Sequence, residues 1–568
     1  MMAVINIISK DPAQVQDSII TYRKGGQDTQ DMYAQFGGSP TDSISYRVSV
    51  ANERDEGFDK NFVDDDRHDG SDIDHLNAKA NIKISNETDL TLFMGFANGI
   101  TELEYRDNQQ QSFPDIDNTT QYYQTDLRHA FSASHEIKFK TYYSQIDQEI
   151  QWRSCRPQAL FLSSLYELDT QNPNYAATIA AGGMPSGGTA ADDALAFQVF
   201  QDITALGAAA FQPTCGDVNE DGTESRLDFE IEDTFIASEN LRFVFGAGAA
   251  QQVIDNQTFF NGRKSIWSTR LFGNAEYRFN NLVVNIGAMV EDENKHLDHP
   301  EVSPRLGLNY RISPSNTIRY AVAKAIRTPD ILEMDREWNY FIKNLSVPVN
   351  GETNLPLFHT ARADGNLNSE VIISQEIGIY GYHSFPLVNL GMSKLEYDFK
   401  IFYDEMSELI AEKLQYFDYS PTNNTENTLT GAEVEVNYSI SGGFLPSYLK
   451  KVKLHANYAY LDSDTNNFFE RSLYARHTGA FYALFYLPND IHLSLAYYGN
   501  SAINGENNDG YEIGAGKAIA LGKGHLELAG KAVYTPDRNN EFTVSETFNV
   551  QNNNSESTNY YVTARYTF

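Results

Sequence analysis

Short stretches of period-two alternation recur from one end of this chain to the other. Ile44, Tyr46, Val48 and Val50 interleave with Ser43, Ser45, Arg47 and Ser49, and Ile82 and Ile84 with Asn81 and Lys83. Ile318, Tyr320, Val322 and Ile326 share a face opposite Arg319 and Arg327. Val452, Leu454, Ala456, Tyr458 and Tyr460 oppose Lys453, His455 and Asn457. Successive strand side chains point to opposite sides, so each stretch is a strand with one apolar and one polar face. The chain even ends this way: Tyr560, Val562, Ala564, Tyr566 and Phe568 lie on one face, Tyr561, Thr563, Arg565 and Thr567 on the other. Chain ends usually fray into polar tails, so a strand that runs to the last residue is one that must be paired.

The connections narrow the choice. Short turns are expected at Gly37–Asp42, Ser85–Thr88, Phe279–Asn281, Ile312–Asn316, Leu487–Asp490 and Leu521–Gly524. Long polar loops are expected near 53–73, 106–119, 151–226, 291–302, 328–368, 411–427, 461–471, 500–509 and 536–558. A β-sandwich has no reason to alternate long with short. A transmembrane antiparallel β-barrel does, with long extracellular loops and short periplasmic turns, and the pattern yields about 22 strands. The fold class expected is therefore all-β.

Composition is consistent with that reading. Mean hydropathy is −0.45 over 568 residues, and no apolar run reaches the roughly 20 residues of a spanning helix. Barrel strands hide their apolar band in every second residue, so they escape that test. The 34 Tyr and 34 Phe, against 3 Trp, suit aromatic girdles but equally a large sandwich. A net charge of −34 excludes nucleic acid as a natural partner. Much of the excess acid, such as Asp64-Asp65-Asp66, sits in loop-like sequence.

The longest loop, 151–226, holds both cysteines, Cys155 and Cys215, which form either a disulfide or two free thiols. Its Ala-rich stretches, 176–181 and 194–210, read as one or two short helices or as a small-residue loop; Leu195, Val199, Phe200 and Ile203 recur at helical spacing. Asp217, Asn219, Asp221, Thr223 and Asp228 follow the spacing of a calcium loop with Gly222 at the sharp turn. Asp228 is short for the bidentate closing position, and an acidic turn leading into a strand explains the same residues. No other cofactor is required. No zinc-protease, nucleophile-elbow, P-loop or C-x-x-C pattern is present, so the sequence is not read as an enzyme.

Four segments resemble the TonB-dependent outer-membrane receptor family. Ser303-Pro304-Arg305-Leu306-Gly307-Leu308 leads to a strand ending Arg327-Thr328-Pro329, similar to the family's paired-strand signature. Asn427 to Gly431 and Glu433 resemble its late N-x-x-x-G-x-E strand, and Tyr566 and Phe568 its terminal signal for the barrel insertion machinery. Val4-Ile5-Asn6-Ile7-Ile8-Ser9-Lys10 is similar to the strand that closes the family's plug domain. On that resemblance, residues 1–10 are a plug remnant and 11–568 the barrel, with most of the plug and the signal peptide absent from this chain.

The resemblance implies the outer membrane of a Gram-negative bacterium, if the chain is exported, and uptake of a scarce small-molecule ligand. An iron–siderophore is the commonest class; an oligosaccharide or cobalamin is the next. The TonB complex becomes a partner only if a plug is supplied, and the chain is expected to be a monomer in the lipid bilayer. A haem reading is weakened because no N-P-N-L run follows Arg327-Thr328-Pro329. The candidate ligand contacts are loop aromatics and charges: Trp152, Arg153, Trp338, Tyr340, Phe358 and His359. The alternative for each is an interfacial anchor or loop-packing residue. The rival functions are a passive porin-like channel and a surface adhesin or phage receptor.

Overall fold

The computed structural model describes residues 9–58, 68–102, 115–297, 299–357, 361–363, 365–387, 391–410, 421–442, 445–467, 470–471, 474–503, 506–536, 540–541, 552–553 and 557–568. Antiparallel strands follow one another round a ring, each bonded to its neighbours in sequence. The first, Ile19–Gly25, pairs with the last, Thr558–Thr567, from Ile19↔Thr567 to Gly25↔Tyr561. The main sheet has 23 strands, but Pro213–Asn219 only lengthens a hairpin above the ring, which leaves 22 in a closed barrel. Closure runs to the last residue: Phe568 N–H donates to the Ser18 carbonyl and Ser18 N–H to the Phe568 carbonyl, both at 3.0 Å.

The two faces are chemically distinct. Met32, Phe36, Met94, Phe96, Ile231, Leu271, Ile286, Ile377 and Val562 stand exposed on the outward face, a belt that only lipid can cover. The alternate residues line the lumen and pair their charges. Arg128 lies 3.3 Å from Asp89 and 2.6 Å from Glu136; Lys138 lies 3.3 Å from Glu232; Lys140 lies 3.2 Å from Glu230. Arg270 continues the series at 2.9 Å from Glu230 and 2.7 Å from Asp228.

Arg270 and Asp228 are on strands that do not touch, and a glycine joins them. On the strand between, Leu241–Asn256, Gly248 stands opposite both Arg270 and Glu230. A Cβ there would lie 2.7 Å from the Arg270 Cζ, so the guanidinium can cross only because Gly248 has no side chain. Arg319 crosses Gly378 in the same way to donate to Asp398 at 2.7 and 2.9 Å. Arg305 crosses Gly287 towards Asn274, at 3.3 Å.

Some boundaries differ from the sequence reading. Gly37 and Gly38 belong to the strand Gln30–Thr41, not to a turn, because the chain's own segment before the barrel packs there: the Val15 carbonyl oxygen is 2.4 Å from where a Gly37 Cβ would stand. The loop expected at 500–509 is mostly strand, since Ile491–Ile503 and Glu506–Leu521 extend towards each other. Of the N-terminal match, Val4 to Lys10, residues 4–8 lie outside the described residues; Ser9 accepts a hydrogen bond from Lys79 Nζ at 2.8 Å on the lumen wall.

Replacing Gly248 with valine should push Arg270 off Asp228 and Glu230 and leave two like charges side by side. Charged hydrogen bonds of this kind contribute on the order of 1–3 kcal/mol. Urea titration of the lipid-reconstituted barrel should show that loss, whereas an unchanged midpoint would mean that the bridge contributes nothing.

Candidate functional site: a partly roofed lumen

The strand His135–Pro157 outruns the barrel, and its far end, from Gln151 to Pro157, pairs with Pro213–Asn219. This hairpin carries three helices: α1 (Ser163–Gln171), α2 (Pro173–Ala180) and α3 (Ala190–Leu206). The Ala-rich stretches thus fold as α2 and α3, while α1 was not apparent in the sequence because its apolar residues are few. The start of α3 has a local cause. Thr189 and Asp192 form a reciprocal capping box, and hydrogen bonds, first of all from the Thr189 backbone, hold the Asp192 carboxyl down at about 2.

Cys155 and Cys215 stand directly opposite each other on the hairpin and are joined as a disulfide. The connection from 328 to 357 packs onto this unit. Thr214 Oγ1 donates to the Val347 carbonyl at 2.8 Å, and Ser346 N–H donates to the Cys215 carbonyl at 2.8 Å. Phe161, Leu162, Leu165, Leu168, Val199, Ile342 and Val349 form the resulting core.

The cap is seated at the rim by ion pairs. Arg327, at the end of its barrel strand, donates to Glu370 at 2.5 Å and forks onto Glu333 at 2.8 and 3.0 Å. The adjacent His296 is buried, with Nδ1 2.8 Å from Glu293 and Nε2 3.1 Å from Asp335.

The ligand candidates separate into groups. Trp152, Trp338 and Tyr340 are buried in the cap core, with ring centroids 6.3 Å (Trp152–Tyr340) and 5.8 Å (Trp338–Tyr340) apart. Arg153 is held by Asp217 at 2.5 Å and by the Cys215 carbonyl at 3.0 Å. These four are engaged in the cap's own contacts. Phe358 and His359 lie outside the described residues.

The calcium-spaced residues do not share one centre: Asn219 donates to Asp221 at 2.6 Å, and the others turn to different partners. Asp217 accepts from Arg153 and, at 2.7 Å, from Asn344; Asp221 accepts from the Ile150 N–H at 2.8 Å; Thr223 donates to Asp147 at 2.6 Å. Asp228 is on the barrel wall against Arg270. Among the described residues no group of His, Cys, Asp or Glu is arranged to hold a metal ion. Tyr566 and Phe568 face outward in the last strand, their rings stacked at 5.3 Å.

One residue at the hinge of the cap was not singled out by its sequence. Glu220 is buried between the hairpin and the barrel, and its Oε1 accepts from Tyr340 OH at 2.6 Å. Desolvation raises its carboxyl to about 7, against the opposing effect of the Tyr340 hydrogen bond. Neither partner predicts the other from sequence, since 120 positions separate them.

The profile described as "TonB dependent receptor-like, beta-barrel" matches residues 16–515. The chain belongs to that family. As a TonB-dependent receptor barrel it resides in the outer membrane of Gram-negative bacteria, where the family takes up ligands. Its fold is similar to that of the siderophore receptor PirA from Pseudomonas aeruginosa (TM-score 0.61, 11% identity, 97% of this chain and 80% of that one). It is likewise similar to the ferric-catecholate import receptor Fiu from Escherichia coli K12 (0.64, 10%, 99% and 83%) and to Pseudomonas aeruginosa FpvA bound to pyoverdines (0.62, 10%, 97% and 71%). No curated protein matches the sequence.

Among the described residues, the cap of this receptor barrel stands over one side of the mouth. Numbered round the ring from Ile19–Gly25, the hairpin rises between the seventh and eighth strands, and Trp338 and Tyr340 lie between the thirteenth and fourteenth. Loops rooted about a quarter of the ring apart meet only by crossing the mouth above the wall between them.

Two outcomes are expected for the receptor's cap. Because the Glu220 carboxyl rises from 4.5 to about 7, the folded cap holds a proton that an open cap releases between those values. Cap stability should therefore fall as pH rises from 4.5 through 7. For His296, burial disfavours the charged ring but Glu293 and Asp335 outweigh it, so its pKa is raised and its contribution is likewise lost on going alkaline. Amide protection factors in α1–α3, corrected for the intrinsic rise of exchange with pH, should fall across this range, and Glu220→Gln should flatten most of that fall. Replacing both cysteines with serine reopens a 60-residue separation, worth roughly 4 kcal/mol in the chain-entropy account. Proteolysis should then cut the cap while the barrel still migrates as a folded species; an equally resistant cap would contradict that role for the disulfide.

Proposed function

We propose that this chain is the pore and ligand-binding barrel of a receptor for iron–siderophore uptake. The observation that carries the reading is the combination of a closed 22-strand ring with a polar, ion-paired lumen and a packed extracellular roof. A ring of this size leaves an interior wide enough for a ligand of siderophore dimensions. The roof rests on a rigid barrel, the arrangement in which loops can select a ligand while the scaffold stays fixed. The structural likeness to a siderophore receptor and a ferric-catecholate import receptor supports iron chelates over oligosaccharides or cobalamin. Energised transport requires coupling to TonB through a plug.

Deleting the gene in its host should slow growth under iron limitation and lower uptake of radiolabelled ferric siderophore, with rescue by iron salts. If iron uptake is unchanged and only surface attachment or phage adsorption is lost, the receptor reading fails in favour of an adhesin. A steady, ligand-independent conductance with no ligand binding would favour the porin-like channel instead.

A further inference from the structure

A cavity of about 750 Å³ opens on the lumen wall away from the roof. It is lined from strands on both sides of the closure seam, by Arg23 and Asp31 on one side and Glu512, Lys531 and Tyr561 on the other. In strand order these positions lie about half a turn from the middle of the roofed wall. Gln27 and Thr29, in the connection that joins the first two strands outside the barrel, place the cavity at the extracellular end. Its volume is that of a small-molecule site. Its floor is bare, because Ser494, Gly514 and Ala529 offer no side chain long enough to fill it.

The charges there are unevenly committed. Tyr561 lies between two cations, with Arg23 Cζ 5.7 Å and Lys531 Nζ 5.5 Å from its ring centroid. Both cations already have carboxylates: Arg23 is paired with Asp31, and Lys531 lies 3.3 Å from Glu512. Two further acids remain. Asp55 accepts from Ser71 Oγ at 2.8 Å and from the Gly57 N–H at 3.0 Å, neither of them charged. Among the described residues the one ion-pair neighbour of Glu53 is His75, at 3.9 Å. Among the described residues that line this cavity, an anion meets no uncommitted cation, whereas a cation meets two carboxylates. The chain's net charge of −34 acts in the same sense over longer range.

We propose that the ligand is held in this cavity beside the closure seam, and that it is a ferric chelate of zero or positive net charge, not a polyanionic one. The proposal rests on the uptake reading and adds to it the position and charge class of the ligand. Glu53 and Asp55 face the ligand's positive side, and the Tyr561 ring, braced by Arg23 and Lys531, gives it a flat wall.

The test uses the full chain reconstituted in lipid and titrated with ferric chelates, followed by intrinsic fluorescence. A neutral or cationic ferric trihydroxamate should bind, and a trianionic ferric tris-catecholate should bind at least about tenfold more weakly. Glu53→Gln with Asp55→Asn should weaken the trihydroxamate and narrow the difference between the two. Ala529→Trp, which fills the floor, should weaken both, with folded migration on gels showing that each variant is intact. Tighter binding of the tris-catecholate would overturn the charge class and leave the uptake reading standing. Trihydroxamate binding that is indifferent to all these substitutions would overturn the position. Failure of every chelate to bind would overturn the uptake reading, and this proposal with it.

Discussion

Everything in this molecule depends on closing a hydrogen-bonded ring. Within a bilayer no water is available to satisfy a backbone amide, so an open sheet edge would cost several kcal/mol for each unpaired group. The pairing of Ile19–Gly25 with Thr558–Thr567 removes the edges, and the reciprocal bonds of Ser18 and Phe568 carry it to the end of the chain. Once the ring is closed, the alternation of side chains is forced. Tyr560 and Val562 must face lipid, and Tyr561, Thr563 and Arg565 must face the lumen.

The lumen wall is then a problem of charge. Side chains such as Arg270 and Asp228 cannot leave for bulk water, and the closed sheet fixes their spacing. Glycine at Gly248, Gly287 and Gly378 lets an arginine cross a whole strand to reach a partner, so the wall is cross-braced beyond nearest neighbours. The cap follows a different rule. It is a small apolar core held over the rim by one disulfide, by Arg327 with Glu333 and Glu370, and by the Tyr340–Glu220 bond. Its fastenings at Glu220 and His296 favour the protonated state. The wall is thus fixed by strand geometry, whereas the roof responds to its surroundings.

Much of the barrel was legible because its physics is local. Period two sets the face of each residue, and the long–short rhythm of the connections sets the strand count. The aromatic terminal strand needed only its own residues to be read. The cap was far less legible. Trp152, Trp338 and Tyr340 were chosen as ligand contacts because loop aromatics often bind, but large aromatics are also what a small core needs. Only contacts between distant positions separate the two uses. The calcium spacing is equally a property of contacts that sequence does not show: Gly222 begins a barrel strand, which carries Asp228 away from the turn and onto Arg270. Gly248 shows the opposite limit. Its role is plain once Arg270 is seen above it, yet a glycine in a strand announces nothing about what crosses it.

The most direct measurement addresses the seam, on which both the lumen and its cavity depend. Thr21 stands opposite Arg565 across the closure, on the first and last strands. Cysteines placed at both positions, in a variant lacking Cys155 and Cys215, should form a disulfide spontaneously after folding into lipid. Pairs offset by two residues along either strand should not. Efficient cross-linking only at an offset, or none in a chain that is otherwise folded, would contradict the closed ring and the surfaces derived from it.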